Sequence, residues 1–289
     1  MIIVQLTGGL GNQLFQYAMG KSLAIRNNCR LKIDLGFFKT YEWHEYSLSP
    51  FNIEEFIATS EDIAEMNKAQ HSLTSRIKRK LFNSQQVFIH EKDLHYDPAY
   101  KRIKSHAYLF GYWQSEEYFK EYEDVIREQL HIKIPPSMQN AETLEQIVST
   151  EAVSLHIRRG NYVAVDSVNK VHGTCSMDYY ADAVKKIATV CKRPIFYIFS
   201  DDIPWAKANI NLAYPCVYID NNDAKTDYED LRLMSSCKHH ILANSTFSWW
   251  GAWLNRSKEK VVIAPNQWFA DQTRNAQTEK LIPAGWLKI

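Results

Sequence analysis

The sequence predicts an α/β protein built on parallel sheets, and three observations carry that expectation. The chain opens on an apolar run, Ile2-Ile3-Val4-Gln5-Leu6, which passes through a glycine turn straight into a helical pattern. Further apolar runs recur between residues 152 and 264, with helical stretches filling the gaps. These runs are short and apolar throughout, as strands are when helices cover both faces of a parallel sheet.

Taken in order, the first strand is followed by the turn Thr7-Gly8-Gly9-Leu10-Gly11-Asn12. A helix then runs from Gln13 to about Arg26, with Leu14, Phe15, Ala18 and Leu23 at three- and four-residue spacing. Leu31–Leu35 reads as the second strand. Residues 36–50 are irregular and rich in aromatic residues (Phe37, Phe38, Tyr41, Trp43, His44, Tyr46), and weak helical signals cover Ser60 to Leu81. Val87–His90 and Tyr108–Tyr112 read as strands, and Ser115 is placed to cap a helix running to Gln129. Pro135-Pro136 cannot continue a helix or a central strand, so they divide the chain into domains 1–136 and 137–289. The C-terminal tail is expected to be able to pack back on the first domain.

Beyond a polar segment after the prolines, strands are expected at Ala152–Ile157, Ile195–Phe199, Val217–Ile219, His240–Ala243 and Val261–Ala264. Helices are expected at 177–191, 203–210, 226–237 and 245–255. Thr226-Asp227-Tyr228-Glu229 has the form of a capping box for the third of these.

Composition narrows the function classes. The 289 residues are 45% hydrophobic and 23% charged, which excludes disordered and fibrous chains. A formal net charge of +1 argues against a nucleic-acid partner, which would need a basic excess. The five cysteines lie far apart with no CxxC pair, so neither a disulfide scaffold nor a zinc site is expected, and a reduced, cytoplasmic chain fits. The N-terminus lacks the pattern of a signal peptide, and no apolar run approaches the length of a membrane span.

In an open parallel sheet, ligands gather at the carboxyl ends of the strands, and four such places stand out. The glycine turn after the first strand lets a backbone approach a phosphate at a helix N-terminus. It lacks the Gly-Lys-Ser/Thr of a phosphate loop, and Leu14 stands where a dinucleotide fingerprint needs its third glycine or alanine. His156 and Arg158 share a strand face in His156-Ile157-Arg158-Arg159-Gly160-Asn161-Tyr162, where a guanidinium can take a pyrophosphate or form a structural ion pair. Ser200-Asp201-Asp202 brings two carboxylates to the same edge, able to bind a ligand or to cap the helix that Ile203-Pro204 opens. Asn244-Ser245-Thr246-Phe247-Ser248 opens a helix with hydroxyls and free amides, suited to phosphate. The tryptophans that follow, Trp249, Trp250 and Trp253, sit at helical spacing and read as core.

Read together, GGLGNQLFQYA, HIRRGNY, FSDD and NSTFSWWGAWL, in that order, resemble the bacterial α-1,2-fucosyltransferases of glycosyltransferase family eleven, over nearly the whole chain. The resemblance implies the glycosyltransferase B architecture, two Rossmann-like domains facing a cleft. It implies GDP-fucose on the C-terminal domain and a galactose-terminated glycan acceptor largely on the N-terminal one. It further implies an inverting displacement that needs no metal or other cofactor, in which galactose O2 attacks fucose C1. Carried over residue by residue, Arg158 binds the donor pyrophosphate, His156 lies near the nucleotide, Asp201 contacts guanine and the Thr246-Phe247-Ser248 turn binds phosphate. Arg159, Asn161, Asn244 and Ser245 complete the expected donor site with Gly9, Gly11 and Gln13, and Asn12 is placed among the catalytic residues.

One departure matters: the family's usual HxRRGDY reads Asn161 at the aspartate here, and an amide cannot serve as a base. Asp166 is the nearest carboxylate downstream and is taken as the candidate base, with His172 the nearest imidazole; the alternative is that a loose, oxocarbenium-like transition state acidifies the attacking hydroxyl late and needs no strong base. The basic stretch Ser75–Phe82 reads either as a solvated helix face or as a peripheral contact with anionic lipid at the inner face of the membrane. Three other readings stay open. They are a non-catalytic sugar-nucleotide or glycan-binding protein on the same fold, a nicotinamide oxidoreductase using the glycine turn, and a metal-dependent transferase using Asp201 and Asp202.

Overall fold

The computed structural model describes residues 1–41, 43–72 and 85–289. The chain divides into two compact units, one formed by Met1–Lys133 with Glu279–Leu281 and the other by Ile134–Thr278 with Ile282–Ile289.

The first unit contains β1 (Ile2–Gln5), α1 (Leu10–Arg26), β2 (Leu31–Asp34), α2 (Ser60–His71), β3 (Phe88–His90), β4 (Ala107–Phe110) and α3 (Glu123–Gln129). Its parallel sheet has the order β2-β1-β4-β3, so the glycine turn after β1 lies where the chain connects to β2 on one side and β4 pairs on the other. Gly8 takes φ +72°, a conformation that side chains avoid, which explains one glycine of the turn. α1 starts earlier than the expected Gln13. The Gly9 carbonyl accepts the amides of Asn12 (3.0 Å) and Gln13 (3.2 Å), so the turn is itself the first helical turn.

Downstream, Ser115 caps only a 3-10 turn, Glu116–Tyr118, and a second such turn, Lys120–Tyr122, precedes α3. The single helix expected to reach Gln129 is broken because Phe119 leaves helical geometry while its ring is buried with that of Phe15, 6.1 Å away. Of the expected helical region 60–81, α2 is present. Its capping box is Thr59 with Asp62, the Asp62 amide donating to Thr59 Oγ1 (3.3 Å) and the Thr59 amide to Asp62 Oδ2 (2.8 Å). The basic stretch Ser75–Phe82 lies outside the described residues.

The second unit holds α4 (Met138–Val148), β5 (Glu151–Ile157), α5 (Gly160–Ala164), α6 (Asp166–His172), α7 (Met177–Ala188), β6 (Pro194–Ser200) and α8 (Ile203–Asn209). It continues with β7 (Cys216–Tyr218), α9 (Asp227–Ser236), β8 (His239–Ile241), α10 (Thr246–Leu254), β9 (Val262–Ala264), α11 (Gln272–Ala276) and β10 (Leu287–Lys288). The parallel sheet has the order β10-β9-β8-β5-β6-β7. On one face Val153, Leu155, Phe196 and Ile198 pack against Ala183 and Ile187 of α7 and Ala206 of α8. On the other, Ala152, Tyr197 and Phe199 pack against Ile147 of α4 and Leu233 and Met234 of α9. Trp249, Trp250 and Trp253 are buried core, as their spacing predicts.

Two local expectations are corrected. The polar segment after the prolines is α4, capped by Ser137, whose Oγ accepts the Asn140 amide (3.2 Å). Thr226 and Glu229 form no capping box: Thr226 Oγ1 bonds Asp223 (3.0 Å), while the buried Glu229 pairs with Arg232 (2.8 Å). All five cysteines are free. Among the described residues no helix is long and apolar enough to cross a membrane.

Candidate active site

Strands β5 and β8 are hydrogen-bonded neighbours, with Val153 opposite His239 and Leu155 opposite Ile241. From β5 the chain proceeds to β6 and β7 on one side, and β8 leads to β9 on the other. That is a topological switch point, where the connections diverge and leave room for a ligand beyond the carboxyl ends of the strands. The Arg158-Arg159 pair and the N-terminus of α10 both follow directly from these two strands.

His156, near the end of β5, is buried, and its Nδ1 has no hydrogen-bond partner among the described residues. Burial, reinforced by the Arg158 charge, pushes its pKa down to about 3, so the imidazole is neutral. Its ring lies 5.8 Å from that of Phe247 on the first turn of α10. An unpartnered buried nitrogen costs free energy unless something binds it.

Arg158 Nη1 pairs with Asp201 Oδ2 at 3.0 Å, and its guanidinium lies 5.3 Å from the centre of the Tyr162 ring. Tyr162 in turn stacks on His172 at 4.6 Å. Burial, with the charges of Arg274 and Arg158, pushes the His172 pKa down to about 4. Arg159 donates its backbone amide to Asp201 Oδ1 (2.8 Å), pairs through Nε with Asp202 Oδ2 (3.4 Å) and lies 3.8 Å from the centre of the Trp205 ring. Asp202 also caps α8, accepting the Trp205 amide at 3.1 Å, as its position before Ile203-Pro204 predicts. A Cβ at Gly160 would stand 2.3 Å from Asp201 Oδ2, so only glycine permits this carboxylate to reach both arginines.

Asp201, expected to contact guanine, therefore has both oxygens engaged by the arginine pair, and its observed part is to hold that pair. Arg158 nonetheless keeps 27% of its side-chain surface exposed, enough for a phosphate to share the guanidinium. At the other strand end, Ser245 Oγ accepts the Phe247 amide (3.3 Å), and Thr246 opens α10. The positive end of this helix favours an anion.

Several expected contact residues are used inside the protein instead. Asn244 is buried, its Nδ2 donating to the carbonyls of His172 (3.0 Å), Gly173 (3.3 Å) and Trp268 (3.1 Å). Its Oδ1 lies 3.7 Å from Cys175 Sγ. It fastens the loop that carries His172. Ser248 is buried and donates to the Ser245 carbonyl (3.2 Å). In the first unit Gln13 is fully buried, donating to the carbonyls of Gly8 (2.9 Å) and Glu45 (2.8 Å) and accepting the Ser47 amide (2.9 Å). All three side chains are engaged by hydrogen bonds inside the protein.

Gly9 packs against His44, Gly11 is buried in α1, and Asn12 Oδ1 accepts from Gln114 Nε2 (3.0 Å). Asn161 lies in α5, and Asp166 is the exposed first residue of α6. Sequence reasoning missed Trp205, which stands three residues after the capping Asp202 and so returns to the arginine on the first helical turn. It also left Tyr162 out of the site, although the residue ends the recognised motif. Among the described residues no group of three or more His, Cys, Asp or Glu side chains is arranged to hold a metal ion.

The second unit is thus an open parallel α/β sheet with an arginine pair and a helix N-terminus at its switch point. The chain belongs to Glycosyl transferase family 11, which matches residues 1–289. It is 33% identical to the alpha-1,2-colitosyltransferase of Escherichia coli, over 100% of this chain and 99% of that protein. It is 32% identical to the O-antigen biosynthesis glycosyltransferase WbnK of Escherichia coli, over 98% of this chain and 99% of that protein. The structure of FUT1 from Arabidopsis thaliana in complex with GDP shares the fold, with a TM-score of 0.51 and 11% identity over 90% of this chain and 69% of that one.

Proposed function

We propose that this glycosyltransferase moves L-fucose from GDP-fucose to O2 of a terminal galactose, forming an α-1,2 linkage with inversion. The observation that carries the reading is the placement of Arg158, part-exposed and held by Asp201, at the end of the strand whose neighbour leads into α10. The guanidinium and the helix N-terminus are two sources of positive charge for a diphosphate leaving group. The relatives named for α-1,2 transfer of colitose and for galactoside 2-alpha-L-fucosyl transfer support the linkage and the acceptor.

In this reaction the bond between acceptor O2 and C1 of fucose forms as the bond from C1 to the β-phosphate oxygen breaks, and GDP leaves with the bonding electrons. Arg158, the α10 amides and the Ser245 and Thr246 hydroxyls stabilise that departing charge, so the proposal requires no metal. Neutral His156 offers Nδ1 to the nucleotide. Arg159 holds the edge in shape through Asp202 and Trp205. The acceptor proton passes to the Asp166 carboxylate, and Asn12 sits on the acceptor side. We place the reaction in the cytoplasm, on a galactose-terminated glycan of the kind an O-antigen pathway assembles.

The deciding experiment offers GDP-fucose, GDP-colitose and GDP-mannose with a terminal β-galactoside, in EDTA, and reads the linkage of the product. Colitose lacks the 3-hydroxyl of fucose, so this comparison fixes the donor. Fucosyl transfer to O2 in EDTA is the expected result; transfer of colitose alone, or transfer that stops in EDTA, overturns the donor or the metal-free chemistry. An Asp166→Asn enzyme with unchanged kinetics removes that residue as the base.

A further inference from the structure

The amino edge of the first sheet, opposite the edge that carries the glycine turn, is cationic. All four strands are parallel, so their starts lie along this one edge. The Ile2 amide donates to the Arg30 carbonyl (2.9 Å) and the His106 amide to the Met1 carbonyl (2.8 Å), which sets Met1, Arg30 and His106 side by side ahead of β1, β2 and β4. Two helices end there as well. After α1, Asn27 Nδ2 donates to the Ile103 carbonyl (2.9 Å) and Asn27 Oδ1 accepts the Ser105 amide (3.0 Å), so residues 103–105 fold against the end of that helix. In α2, Gln70 Oε1 accepts the Val87 amide (2.9 Å), which brings the last turn, with Lys68, beside the start of β3.

The cations gathered here exceed the carboxylates near them. Glu121 pairs with Arg26 and Lys101, and Glu65 lies 3.4 Å from His106. Arg30, Lys68, Arg102 and Lys104 are exposed and form no ion pair among the described residues. On a chain whose formal net charge is +1, that is a local excess which the rest of the molecule offsets, and it gives this edge an attraction for an extended anion. At the rim, the Arg30 guanidinium lies 4.6 Å from the centre of the Phe56 ring, a side chain 40% exposed. An exposed aromatic beside unpaired cations suits the headgroup region of a bilayer, where phosphates take the charge and the ring meets the apolar boundary. A nucleic-acid backbone would call for a larger basic excess than +1.

We propose that the amino edge of the first sheet docks the protein on an anionic phospholipid surface, through Arg30, Lys68, Arg102 and Lys104 with Phe56 at the interface. These residues are far apart in the chain and only the fold brings them together; they carry the proposal without the Ser75–Phe82 stretch. The docking is independent of the transferase reading, and it leaves the opposite edge, with Asn12, on the far side of the sheet from the lipid.

Co-sedimentation with vesicles of phosphatidylglycerol and phosphatidylcholine in equal parts, against vesicles of phosphatidylcholine alone, tests it. Near an anionic surface each lysine or arginine contributes about fivefold in partitioning, so Arg30→Gln, Arg102→Gln and Lys104→Gln together are expected to weaken binding about a hundredfold. Lys186→Gln, Lys192→Gln and Lys258→Gln together remove the same charge from exposed positions of the second unit and leave binding within about twofold, since charges beyond the screening length contribute little. Salt at about 1 M, where that length is about 3 Å, releases the wild type. An unchanged melting transition in both triple variants separates loss of the surface from loss of fold. Equal binding by the two triple variants, wild-type binding to phosphatidylcholine alone as tight as to the mixture, or binding to double-stranded DNA with none to either vesicle overturns the proposal. A wild type that pellets with the anionic vesicles but transfers to no galactoside overturns the transferase reading and leaves the docking surface standing.

Discussion

The two sheets of this chain reach their carboxyl edges by similar means, a short buried strand running into a turn and a helix, and use the polar groups there differently. After β1, Gln13 and Gln16 are buried with their amides bonded to nearby backbone, and Asn12 is held by Gln114. After β5 and β8, charge and an unpartnered nitrogen remain at Arg158 and His156. The first edge uses these amides to hold its own loops, whereas the second keeps a part-exposed guanidinium beside an imidazole nitrogen that has no partner among the described residues. A glycine-rich turn before a helix is thus no evidence of a phosphate site until the hydrogen bonds of its neighbours are known.

The sharpest way to break this comparison is Arg158→Ala. Turnover is expected to fall by about a hundredfold or more. The melting transition moves by no more than about 1 kcal/mol, because the pair with Asp201 is part-exposed. Retention of a tenth of the activity contradicts the role. Gly160→Ala comes next: its new Cβ displaces the Asp201 carboxylate, and a misplaced guanidinium costs up to about a hundredfold in rate with Arg158 still present. Steady-state kinetics beside an intact far-ultraviolet spectrum checks it.

Gln13→Ala sharpens the comparison from the other side. It leaves buried backbone groups unsatisfied and is expected to cost about 1–3 kcal/mol in denaturant unfolding, with GDP affinity unchanged.

The pH dependence of stability gives a smaller signal. His156 and His172 have native pKa values near 3 and 4 against 6.5, so the unfolded chain binds their protons more tightly. Their contribution is complete above about pH 6.5 and is lost as pH falls through the native values. Asp227 and Asp230, raised by burial to about 7 and about 6, act in the opposite sense: the stability they add when protonated declines as pH rises from about 4 to 7. The stability of wild type minus that of His156→Gln should therefore fall on acidification below pH 6.5. A flat difference curve contradicts a buried neutral imidazole.

Much of the second unit was legible because its strands are continuous apolar runs separated by helices. The expected strands at 152–157, 195–199, 217–219, 240–243 and 261–264 all appear within a residue or two of their places. The first unit was harder. Around Phe119 burial of aromatic rings overrides helical spacing, and no local pattern announces that. The capping motif at Thr226 misled because Asp223, three residues earlier, competes for the same hydroxyl, whereas Thr59-x-x-Asp62 has the box. In the site, Arg158 and the α10 turn were legible as residue types at strand ends. The internal use of Gln13 and Asn244 was not, since an amide reads alike whether it faces a ligand or a backbone carbonyl.

One measurement tests the contrast between the edges directly: calorimetric titration of GDP, in EDTA, into wild type, Arg158→Ala and Gln13→Ala. The account predicts binding to wild type and to Gln13→Ala with the same affinity, and its loss in Arg158→Ala. Binding that survives in Arg158→Ala and disappears in Gln13→Ala would place the nucleotide on the glycine turn and contradict the account.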